Sequence, residues 1–148
     1  MSNYNQISSF IWNVCDDVLR GLFKPHEYGD VILPFTVLRR LDCTLESHKD
    51  EVYEIYEKYK SQVDDPTPII LNKINTNFFN HSKYDLTRLK SDPQNINLNF
   101  QNYIGGYSDN VLEIIENFQF DKPVQKLHKS NRLYQLIDKF TEIVMMSG

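Results

Sequence analysis

Apolar residues recur every three or four positions along almost the whole chain, the period of an amphipathic helix and not the two-residue alternation of a strand. The first stripe is Ile7, Phe10, Ile11, Val14, Val18, Leu19 and Leu22, with Ser9, Asn13, Asp16 and Arg20 on the opposite face. It predicts a helix from about Gln6 to Leu22, with Gly21 and Pro25 marking the exit. A second helix is predicted from Asp30, a suitable N-cap, to about Ser47. Pro34 then lies near the first turn, where its missing N–H costs least. Val31, Phe35, Leu38, Leu41 and Leu45 form the buried face of this helix, with Arg40 toward solvent and Arg39 at the border. Asp42 falls among the apolar positions, close in angle to Val31 and Phe35. A carboxylate there needs a partner, because burying it alone is costly. Arg39, three residues back, is the nearest candidate.

A third helix spans Lys49 to Tyr59, with Val52, Ile55, Tyr56 and Tyr59 as its stripe. The run Asp64-Asp65-Pro66-Thr67-Pro68 ends it, and Thr67-Pro68 opens a short helix through Ile74. Residues 76–84, TNFFNHSKY, are the least helical part and predict a small hairpin or an ordered loop. A brief helix follows at Asp85 to Leu89. Asp92-Pro93 opens the next, which Gly105-Gly106 terminates. Ser108 and Asp121 cap two more, and the last runs from about Ser130 to Val144. The sum is an all-α fold, an irregular multi-helix bundle forming a single domain over residues 1–148.

Composition narrows the class. Hydrophobic residues at 41% and charged residues at 24% are the balance of a soluble globular chain. A net charge of −4 argues against a whole-surface electrostatic hold on nucleic acid, though not against a local basic face. Cys15 and Cys43 lie within helical patterns and form no C-x-x-C, so reduced, mostly buried thiols are expected. No signal-peptide pattern opens the chain, and no apolar run approaches the roughly 20 residues that span a bilayer. A cytoplasmic protein without membrane contact is expected.

The chemistry-bearing residue types do not assemble into a site. His26, His48, His81 and His128 lack zinc-ligand spacing, so no metal is expected. Asp16-Asp17 and Asp64-Asp65 are sequence neighbours, which point apart on a helix. The only glycine doublet, Gly105-Gly106, follows a helix, whereas a dinucleotide or methyl-donor loop follows a strand. No Asn- or Asp-Pro-Pro-aromatic tetrapeptide, the motif that holds a flipped adenine, is present. No catalytic or cofactor-binding residue is therefore expected here. The candidates for phosphate contact are Arg39, Arg40, Lys83, Arg88 and Lys90, with Lys126, Lys129 and Arg132 as further basic positions. Asn77, Asn80 and Ser82 near Lys83 add neutral polar groups. Solvated charge and local ion pairing compete with that reading at every one of these positions.

The segment KPHEYGDVILPFTVLRRLDC, Lys24 to Cys43, resembles the N-terminal domain of the modification (M) subunit of type I restriction–modification systems. Three blocks carry the resemblance in order: Ile11–Glu46, Phe78–Leu89 and Asn97–Phe140. The resemblance implies a helical domain that precedes a Rossmann-like catalytic domain in an adenine-specific DNA methyltransferase. In that family S-adenosylmethionine is bound by the catalytic domain, which would be absent from this chain. The implied partners are a specificity (S) subunit, a second M subunit, restriction (R) subunits, and DNA in the assembled complex. The implied role is non-catalytic assembly and DNA clamping; a purely protein–protein scaffold without DNA contact is the alternative.

Overall fold

Helix α1, Ser2–Val14, passes directly into a five-residue π-helical turn, Cys15–Leu19. The Arg20 amide closes that turn by donating to the Cys15 carbonyl at 2.9 Å. Gly21 then takes φ 83°, a left-handed conformation that glycine adopts without a side-chain penalty. The computed structural model describes residues 2–143, and among them no β-strand occurs. The stripe predicted for the first helix divides. Val14, Val18 and Leu19 are buried, and Phe10 meets Phe140 edge-on at 5.0 Å. Ile7, Ile11 and Trp12 instead face outward. A helix at the rim of a bundle has a partner on one side only, so a broad apolar stripe is not covered across its full width.

After a 3-10 turn at Pro25–Glu27, helix α2 runs from Tyr28 to Leu45. The Glu27 carboxylate accepts from the Lys24 amide at 2.8 Å and makes the sharp entry. The helix therefore starts ahead of Asp30, and Pro34 sits in its interior, buried. Then come α3 (Lys49–Tyr59), α4 (Thr67–Ile74), α5 (Leu86–Leu89), α6 (Ile96–Gly105), α7 (Asp109–Phe118), α8 (Asp121–Lys129) and α9 (Leu133–Thr141). Val144, the predicted end of the last helix, lies outside the described residues.

Helix α2 is the axis of the bundle and packs against α5, α7, α8 and α9. Phe35 sits at the centre: its ring stacks on Phe100 at 5.7 Å, meets Phe120 edge-on at 6.1 Å and lies 5.7 Å from Phe140. Such aromatic contacts add to the large apolar area each ring buries. A second, smaller core joins α3 and α4 through Val52, Ile70, Ile74 and Phe79. The two helices thus form a hairpin with its own apolar seam beside the main bundle.

Residues 76–84 form the ordered loop of the two predicted alternatives, and the segment does not pair with itself. It pairs across the molecule: the His81 amide donates to the Gly106 carbonyl at 2.8 Å, and the Ser108 amide donates to the Phe79 carbonyl at 2.9 Å. A single antiparallel bridge, Asn80 with Tyr107, marks the join. Among the described residues no helix is long and apolar enough to cross a membrane.

Candidate functional site

Asp42, on α2, is the hub of a buried polar node. Its Oδ2 accepts from the Leu86 amide at 2.8 Å, at the start of α5. Its Oδ1 accepts from Tyr103 Oη at 2.5 Å and lies 3.0 Å from Tyr107 Oη. The two phenolic oxygens are themselves 2.7 Å apart. Three oxygens in mutual contact need three protons if every contact is to be a hydrogen bond, and the two tyrosines supply two. A third is present only when the Asp42 carboxyl is protonated. Burial raises that carboxyl to about 6, against the pull of its hydrogen bonds from Tyr103 and Leu86. The same enclosure raises both tyrosines well above their ordinary range, so they remain donors.

The expected Arg39–Asp42 pairing is not formed. Arg39 turns away, and its Nε donates to the Ile143 carbonyl at 2.7 Å, with Nη2 reaching Thr141 at 3.4 Å. It serves the unsatisfied carbonyls past the end of α9, where a cation is favoured. Asp42 instead takes its donors from residues 44 to 65 positions away in sequence. Helical spacing could not reveal such partners.

Asn80 is the second anchor. Its Nδ2 donates to the Tyr103 carbonyl at 2.9 Å, and its Oδ1 accepts from Lys49 Nζ at 3.1 Å and the Ser82 amide at 2.8 Å. Gly106 packs against this loop so closely that a Cβ there would stand 2.6 Å from Asn80 Oδ1 and 2.7 Å from the Ser82 amide. Asp42, Asn80 with Leu86, and Tyr103 with Gly106 and Tyr107 come from the three separate blocks of the sequence resemblance. The fold brings all three blocks to one place.

The five predicted phosphate-contact residues do not form one patch of free charge. Arg39 is buried and bonded to carbonyls. Arg88 pairs with Asp50 at 2.9 Å and lies 3.9 Å from Asp85, and Lys90 pairs with Asp138 at 3.1 Å. Arg40 and Lys83 are exposed and have no carboxylate partner among the described residues. Of the further basic positions, Arg132 donates to the Val18 and Arg20 carbonyls at 2.9 and 3.2 Å, and Lys126 lies 4.8 Å from the Phe23 ring centroid.

Lys83 stands at a surface cleft of about 470 Å³ lined by Tyr53, Tyr56, Glu57, Lys60, His81 and Asn102, among others. Tyr56 and His81, both on its lining, stack in parallel at 3.6 Å. Sequence reasoning did not single out Tyr53, Lys60 or Asn102. The signal available was the spacing of Tyr53, Tyr56, Glu57 and Lys60, which places them on one face of α3.

Among the described residues the architecture is all-helical, and its buried ionisable groups Arg39, Asp42 and Lys49 are bonded within the fold. Residues 7–140 match the family described as HsdM N-terminal domain, and the chain belongs to it: the N-terminal domain of the M subunit of type I restriction–modification systems. Family membership places it in an assembled restriction–modification complex. No curated protein and no solved structure matches the chain.

Proposed function

We propose that this domain assembles and clamps, without catalysing, within an adenine-specific DNA methyltransferase M subunit. Its partners in this reading are a specificity subunit, a second M subunit, restriction subunits and DNA. S-adenosylmethionine is then held by the catalytic domain of the parent protein. The observation that carries the non-catalytic part is the use of the buried ionisable groups. Asp42 accepts from Tyr103 and Leu86, Lys49 donates to Asn80, and Arg39 donates to carbonyls of the chain itself. Each is bonded within the fold, and a catalytic acid or base must instead be within reach of a substrate proton.

Titration of this chain with S-adenosylmethionine in a calorimeter should give no binding heat; tight binding would refute the non-catalytic assignment. The clamping part is tested in the complete complex with Arg40→Ala and Lys83→Ala together. Weaker DNA binding and a shallower salt dependence are expected, by about one unit of slope for each phosphate that the variant no longer engages. Unchanged affinity and slope would favour the scaffold reading, which the net charge of −4 supports.

A further inference from the structure

We propose that the cleft between α3, the 80–84 loop and α6 binds the phosphodiester backbone of DNA. The proposal rests on the clamping reading above and assigns it a place. One wall is the α3 face carrying Tyr53, Tyr56, Glu57 and Lys60, and the opposite wall is Asn102 and Gly105 of α6, with His81, Ser82 and Lys83 between them.

The donors are set out for an anion. The Ser82 hydroxyl donates to Asn102 Oδ1 at 2.6 Å, and Ser82 Oγ accepts from the Tyr84 amide at 3.0 Å. That bond orients the Asn102 amide with its acceptor occupied. Its NH₂ group has no partner among the described residues and remains to donate. Lys83 has no carboxylate partner among the described residues, and its ammonium lies 5.2 Å from the Tyr84 ring centroid. Lys60 is held at 2.7 Å by Glu57, the one carboxylate on the cleft, but both side chains are more than 40% exposed. An exposed pair of this kind is worth little and exchanges readily for a phosphate.

The walls suit a sugar–phosphate strand. The Tyr56–His81 stack is parallel to within 5° and places two uncharged rings on the lining. Burial holds the His81 imidazole below its ordinary range, which keeps it neutral at pH 7. At Gly105 nothing lies within 4 Å of the position a Cβ would take, so a strand can approach the backbone there. Two lysines, an oriented amide and a glycine wall can contact phosphates and position a duplex, and phosphate contacts carry no sequence information.

The test is an amide NMR titration of this chain with short duplexes of two unrelated sequences at about 50 mM salt, where even weak phosphate contacts register. Shifts should centre on residues 53–60, 81–84 and 102–106 and be alike for both duplexes. Either single variant, Lys60→Ala or Lys83→Ala, should weaken them and lower the salt slope by about one, and the double variant should abolish them. A control, Lys58→Ala with Lys73→Ala, removes equal charge outside the cleft and should leave them in place. Shifts centred elsewhere would overturn the cleft and leave clamping intact, whereas no shifts with either duplex would count against both. Equal response to inorganic phosphate at matched phosphate concentration would make this a general anion site and overturn the DNA assignment.

Discussion

Tyr103 Oη lies 2.5 Å from Asp42 Oδ1, a charge-assisted or shared-proton distance in the centre of the bundle. The number of protons available around this pair gives the protein an unusual response to pH. The Asp42 carboxyl rises from its ordinary 3.8 to about 6 in the folded state. A raised carboxyl means the fold favours the protonated form. The stabilisation is fully present below about pH 4 and is lost as pH rises through about 6. A shift of that size corresponds to something on the order of 3 kcal/mol. Urea unfolding at pH 4.5 and pH 7 should show the wild type losing stability on going to pH 7. Asp42→Asn, which cannot ionise, should lose markedly less. Equal pH dependence in the two proteins would mean that Asp42 is charged throughout. Lys49, lowered to about 8 by burial against the opposing pull of the Asp42 charge, titrates above this window.

Two adjacent arginines should behave in opposite ways. Arg39→Met strands carbonyls of Thr141 and Ile143 and should cost about 1–3 kcal/mol. Arg40→Met removes an exposed side chain and should stay within about 0.5 kcal/mol. Chemical denaturation midpoints of the two variants decide this. Similar losses would mean that the Arg39 bonds do not contribute.

The neighbouring glycines make a second contrast. Gly106→Ala forces a methyl into Asn80 and Ser82 and should destabilise by about 1–3 kcal/mol, as overpacking does. Gly105→Ala meets open space at the end of α6 and should be neutral or stabilise by about 0.5 kcal/mol. The reverse order in thermal melting would rule out the close packing described here.

Lys49 is only 3% exposed, stands at the N-terminus of α3, and has Asn80 Oδ1 as its hydrogen-bond acceptor. A buried cation at a helix N-terminus opposes the helix dipole. Lys49→Met should therefore be neutral or stabilising near pH 6, because Asn80 Oδ1 keeps the Ser82 amide as donor. A loss of more than about 2 kcal/mol would show that the ammonium compensates the node and is not a burden on it.

Most of the architecture was legible in one dimension. The spacing Val52, Ile55, Tyr56, Tyr59 marks α3 at its observed ends, and Asp64 to Pro68 marks the break before α4. Those signals are local: a helix repeats its face every 3.6 residues, and proline and capping residues act within one turn. The π turn at Cys15–Leu19 carries no such local mark and displaced the predicted end of the first helix. The sequence likewise singled out Asp42 as a carboxylate in an apolar stripe and the 76–84 segment as non-helical.

The order of residues along the chain was enough to show an all-helical bundle. Periodicity and motif spacing are properties of neighbouring residues, and they are written in the order of the chain. Tertiary structure alone decided which donors reach Asp42, that Arg39 serves α9 and not its own helix, and that Lys60, Lys83 and Asn102 share a cleft. Those contacts join residues tens of positions apart, and their geometry follows from how whole helices pack, which no local pattern encodes.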